Sequence, residues 1–132
     1  MPRYAKSYID QLYAAKEMFD LHGVIDVVSK QRQLPRQFWL FQRLRAWVAS
    51  TRSGIWTYYE STSPQDCEEI AGAMERFGLL DVAAKYRSGM QAWPQPGGCD
   101  ALDRWIDDNW STLEATAFQL IANDRHHLYD AC

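Results

Sequence analysis

Apolar side chains return every three or four residues along most of this sequence, the period of a helix with about 3.6 residues per turn, and strand-like alternation is scarce. That pattern predicts an all-α fold. Tyr8, Leu12, Ala15, Met18 and Phe19 give a helix over 4–21, with His22 and Gly23 as its stop. The stretch 24–30 fits either period and is read as a short helix. Pro35 suits a first helical turn, and Phe38, Phe41, Leu44, Trp47 and Val48 then form a stripe that should end near Ser53 and Gly54. Ser63, Pro64 and Asp66 have the order of an N-cap, a first-turn proline and an acid beside the amide dipoles. Cys67, Ile70, Ala71, Met74 and Phe77 follow on one face, up to Gly78. Another helix over 79–93 carries Val82, Ala83, Tyr86 and Met90 inward, and Pro94, Pro96, Gly97 and Gly98 break it. The last third starts a helix at Asp100, passes through Leu102, Trp105, Ile106 and Trp110, and restarts at Ser111, whose spacing to Glu114 fits a capping box. Leu113, Ala117, Leu120, Ile121 and Leu128 are its apolar positions.

With 132 residues, 47% of them hydrophobic and no linker-like stretch, the expectation is one helical domain over 1–132. No run approaches the roughly eighteen apolar residues of a spanning helix, and the first eight residues lack an apolar leader, so the expected location is the cytoplasm, away from membranes. Cys67, Cys99 and Cys132 are odd in number and far apart, which builds neither a disulfide framework nor a CxxC pair. The net charge of -3 excludes a generic binder of nucleic acid, but the charge is uneven. Residues 1–50 hold eight basic and four acidic side chains (+4), whereas 51–132 hold six and thirteen (-7). An acid surplus of that kind points toward a basic partner.

The most distinctive segment is 53–61, with Ile55, Trp56, Tyr58 and Tyr59 behind Gly54. As a helix it would be apolar nearly all round, the mark of an element wedged into a core, with the two phenols served by Glu60 or a backbone carbonyl. Gly54 is expected to be structural, with a positive φ before the aromatic helix.

The order of these elements resembles a bacterial all-helical domain family of unknown function that includes a DNA-mimic protein. The residues that carry the resemblance are Gly54 through Tyr59, then Ile70 to Gly78, Ala83 to Met90, and Leu102 with Asp103 through Trp110, Leu113 and Ile121, within residues 35–130. The resemblance implies a helical fold, and a role either as a DNA mimic occupying the basic surface of a DNA-binding protein or as an immunity-type protein that blocks a toxin.

Catalytic chemistry is sparse. His126 and His127 with Cys132 could suggest a metal site, but adjacent histidines on a helix point about 100° apart and no HExxH spacing exists. Cys99, just before a helix start, could have its thiol pKa lowered by amide dipoles, yet Asp100 opposes a thiolate and no histidine is near in sequence. Asp107 and Asp108 as a general acid and base would need one of them desolvated selectively. A stronger pattern is geometric: at about 100° per residue, Asp100, Asp103 and Asp107 share a face with Asp108 and Arg104, opposite Leu102, Trp105 and Ile106. Carboxylates at this spacing repel one another unless a cation lies against them. The expected function is therefore a cofactor-free, non-enzymatic module that binds a basic protein through Asp100, Asp103, Asp107 and Asp108. The alternative is a small enzyme or ligand-binding domain with a site among the buried aromatics. Direct nucleic-acid binding through Lys30, Arg32, Arg36, Arg43 and Arg45 ranks last, because the overall charge opposes it.

Overall fold

The computed structural model describes residues 4–129, and within them the fold is all helical. In chain order the helices are α1 (Lys6–Ala15), α2 (Met18–Gln31), α3 (Arg36–Ala49), α4 (Trp56–Ser61), α5 (Pro64–Arg76), α6 (Leu80–Ala92), α7 (Asp100–Asp108) and α8 (Trp110–Ile121). Short 3₁₀ turns occupy Ser50–Ser53 and Arg125–Leu128. The chain divides into two compact units: one is Arg43–Leu113, and the other combines the segment up to Gln42 with that from Glu114 onward.

In the unit formed by the two ends of the chain, the expected helix over 4–21 is split. Lys16 sits in the left-handed region at φ 52°, its N–H donating to the Tyr13 carbonyl and that of Glu17 to Leu12. This is a Schellman closure made by lysine where glycine is usual. The register shifts accordingly. Ile9, Leu12 and Tyr13 are buried, while Tyr8 and Phe19 are exposed, Phe19 to 85%. Gly23 is no stop; α2 runs straight through it, because Leu21, Val24, Ile25 and Val28 make one continuous buried stripe. Burying each such side chain contributes roughly 1.5–3 kcal/mol, which outweighs the ~1 kcal/mol cost of a mid-helix glycine. The Tyr13 hydroxyl donates to the Ile121 carbonyl near the end of α8, and Arg32 donates to the carbonyls of His127 and Tyr129. Asp10 accepts from Lys6 and Tyr129 and pairs with Arg125, tying the last described turn to α1.

The Arg43–Leu113 unit follows the sequence pattern more closely. Ser63 caps α5 by accepting from the Asp66 N–H at 3.0 Å, with Pro64 in the first turn. Gly78, at φ 80°, closes the same helix with a second Schellman pair, Gly78 to Glu75 and Leu79 to Met74. On α5, Arg87 of α6 bridges Glu68 and Glu75, joining the two helices on their solvent side. The restart expected at Ser111 is earlier: α8 already contains Trp110, so Ser111 lies inside its first turn and is no N-cap. Asn109 makes the corner instead. Its N–H and side-chain amide both donate to the Trp105 carbonyl, and its own carbonyl accepts from Leu113. No described helix is long and apolar enough to cross a membrane.

Candidate functional site

The Arg43–Leu113 unit is organised around four aromatic side chains, Trp47, Tyr58, Tyr59 and Tyr86, whose ring centroids lie 5.4–5.8 Å apart in tilted and edge-on pairs. Trp47, Tyr59 and Tyr86 are essentially buried. Their polar atoms are matched. The Trp47 indole donates to the Tyr59 hydroxyl at 2.9 Å, that hydroxyl donates to the Tyr86 carbonyl at 2.8 Å, and the hydroxyls of Tyr58 and Tyr86 share a bond at 2.8 Å. The expected carbonyl partner is thus found, whereas Glu60 faces solvent. Gly89 makes the arrangement possible: a Cβ there would collide with the phenol end of Tyr59, so the bare backbone of α6 serves as the floor on which that ring lies.

Burial dominates the titration of this cluster, pushing the Tyr58 phenol up to about 12 and those of Tyr59 and Tyr86 further. The thiols of Cys67 and Cys99 are raised by the same cause, and for Cys99 the carboxylates of Asp103 and Asp100 add to it. The helix start does not activate Cys99, contrary to the dipole argument, because its side chain is buried and faces two acids.

The aromatic helix α4 is only half sunk. Ile55 and Tyr59 are buried, but Trp56 is 45% exposed, so the segment has an outer face that its all-round apolar character hid. Gly54, at φ 90°, lets the Trp56 indole fold back over the chain, since a Cβ there would meet the indole at 2.8 Å. The residue after Gly54 is held from α7: the Ile55 N–H donates to Asp103 at 2.9 Å.

This last contact sorts the four predicted acids. Asp103 is half-buried and serves the start of α4; Asp100, Asp107 and Asp108 are exposed, and within the described residues none of their three carboxylates is hydrogen-bonded or ion-paired. Leu102 and Ile106 are buried on the opposite side of α7, as its periodicity requires. Beside Asp100 lies a groove of about 350 Å³ lined by Trp56 and Glu60 of α4, by Trp93, and by the 94–99 loop. A neighbouring hollow of about 230 Å³ shares Glu60 and Trp93 and is lined also by Thr62, Cys67 and Met90. The sequence reading missed Trp56, Glu60 and Trp93 as surface-lining residues. The available signal was the pair of loop breaks, Gly54 and Pro94, each within two residues of a tryptophan.

Charge is redistributed by the fold. Arg43, Arg45 and Arg52 fall in the same unit as the acids of α5 and α7, so Arg43–Leu113 carries seven basic and ten acidic side chains (-3), and the rest of the chain seven of each. Of the basic residues considered for nucleic-acid binding, Lys30 pairs with Asp26, Arg32 is committed to two carbonyls, and Arg36 lies over the Trp39 ring at 3.7 Å. His126 and His127 are in a 3₁₀ turn with ring centroids 4.2 Å apart, closer than the helical projection implies; Cys132 lies outside the described residues. Among the described residues, no three His, Cys, Asp or Glu side chains are grouped to hold a metal ion. No family model, curated protein or solved structure matches this chain.

Proposed function

We propose that the chain is a non-enzymatic, cofactor-free protein-binding module whose acidic surface on α7 occupies a basic surface of a partner, in the manner of a DNA mimic or of an immunity protein that blocks a toxin. One observation carries the reading: Asp100, Asp107 and Asp108 project from a helix anchored by Leu102 and Ile106, and among the described residues their carboxylates form no ion pair, not even with Arg104 on the same face. Their mutual repulsion costs a few tenths of a kcal/mol per pair, which a bound cationic partner would relieve. Exposed charges of this kind chiefly accelerate encounter and select the partner's sign. The alternative of a catalytic site among the aromatics has less support. The groups there are phenols and thiols held in their neutral forms, and the Arg43–Leu113 unit contains no histidine to act near neutral pH.

The test is a comparative capture from the native host, using as bait the wild-type chain and an Asp107→Asn/Asp108→Asn double variant, at low and moderate salt. The expected result is a basic protein retained by wild type at low salt and lost by the double variant. The same proteins retained by both baits at both salts would contradict it.

A further inference from the structure

Three tryptophans in the Arg43–Leu113 unit, Trp56, Trp93 and Trp110, have an exposed or half-exposed ring that no cation of the described residues covers. Elsewhere the chain spends its own cations on indoles, Arg36 over Trp39 at 3.7 Å and Lys85 over Trp105 at 5.4 Å. Trp56 and Trp93 receive none, and both line the groove of about 350 Å³ described above. The same groove is lined by the carboxylates of Glu60 and Asp100 and by no basic residue. Its walls are closely packed. At Gly54 a Cβ would meet the Trp56 indole, Asp103 accepts from the adjoining Ile55 N–H, and at Gly98 a Cβ would run into the Ala92 carbonyl, so the loop between Trp93 and Asp100 lies against the end of α6.

Indole faces attract cations through the ring quadrupole, and a guanidinium adds flat stacking and paired hydrogen bonds to carboxylates, which an ammonium does not. A cavity of this size is at the small end of ligand sites, fitting for one side chain and too small for a folded element. We propose that this groove receives an arginine side chain from a basic segment of the partner protein, stacked on Trp56 or Trp93 and paired with Glu60 and Asp100. The inference rests on the acidic-docking reading above, and places the anchor of that interface at the groove instead of midway along α7.

The experiment is calorimetric titration of the intact chain with an octa-arginine peptide and an octa-lysine peptide, using wild type, Trp56→Ala, Glu60→Gln and the Asp107→Asn/Asp108→Asn variant. Trp56 is exposed enough for its removal to leave the fold intact, and Glu60→Gln, a solvent-facing change, gives a second reading if it does not. The expected result is octa-arginine binding tighter than octa-lysine, with Trp56→Ala and Glu60→Gln each weakening octa-arginine by about fivefold, Trp56→Ala at both low and moderate salt. The double variant should lose affinity mainly at low salt. If Trp56→Ala and Glu60→Gln bind octa-arginine as wild type does while the double variant loses affinity, the groove assignment is overturned and acidic docking stands. If octa-arginine does not bind wild type, both are overturned.

Discussion

Both units combine aliphatic burial with hydrogen bonds, but α2 in one and the aromatic cluster in the other are held in place differently. In the unit made from the chain ends, α2 buries Leu21, Val24, Ile25 and Val28, aliphatic side chains whose transfer from water is non-directional and tolerates small shifts. In Arg43–Leu113, the central Tyr59 is fixed by direction: it accepts from Trp47, donates to Tyr86 and lies on Gly89. The difference teaches where precision is kept. The element that carries Trp56 and Glu60 to the groove, α4, also carries Tyr59, whose phenol is held by two hydrogen bonds and the bare backbone of Gly89.

The same substitution should separate the units most sharply. Gly89→Ala improves helix propensity by up to ~1 kcal/mol, but its methyl must displace a phenol held by two hydrogen bonds, for a net loss of about 2 kcal/mol or more. Gly23→Ala, where nothing lies within 4 Å of the added methyl, should stabilise by ~0.5–1 kcal/mol. Urea melts of both variants measure this pair, and two changes of the same sign would break the comparison.

Alkaline pH probes the cluster next. Unfolded phenols ionise near pH 10, whereas burial holds Tyr58 to about 12 and Tyr59 and Tyr86 beyond it. Above pH 10 the unfolded chain therefore releases protons that the folded chain keeps. Stability from these groups is complete below pH 10 and falls as pH rises through 12. Thermal melts between pH 8 and 12 should show that fall, reduced in Tyr58→Phe.

Smaller still is the effect that divides the acids. Asp103→Ala removes the acceptor for Ile55 and should cost about 1 kcal/mol, while Asp107→Ala, exposed and without an internal partner, should leave the melting temperature unchanged. Equal effects would remove the distinction between the supporting acid and the presented ones.

Much of the helical layout was legible because it depends on local signals: Ser63 as a cap, Gly78 as a stop, and most of the inward faces of α5, α6 and α7 follow from short-range pattern, whereas Phe77, expected inside, is 39% exposed and Met90 is half-buried. The break at Lys16 was not legible, since lysine is an ordinary helix former and enters the left-handed region only where the burial of Leu12 and Tyr13 on one side and Leu21 on the other demands a turn. Gly23 misled for the complementary reason, as its neighbours' burial overrides its own propensity. The four acids were found from a helical projection, but the separate role of Asp103 depends on a contact 48 positions away along the chain, and the groove joins residues from 56 to 100. No local pattern holds that information.

Function should reside on the Arg43–Leu113 unit alone, and shift mapping by NMR of the intact chain during octa-arginine titration tests this most directly. At low salt, about 50 mM, the expected movements are in the amides of α4 and α7 and in the indole N–H signals of Trp56 and Trp93, with those of α2 stationary. Movements centred on α1 or α2, or none on α7 at saturation, would contradict it.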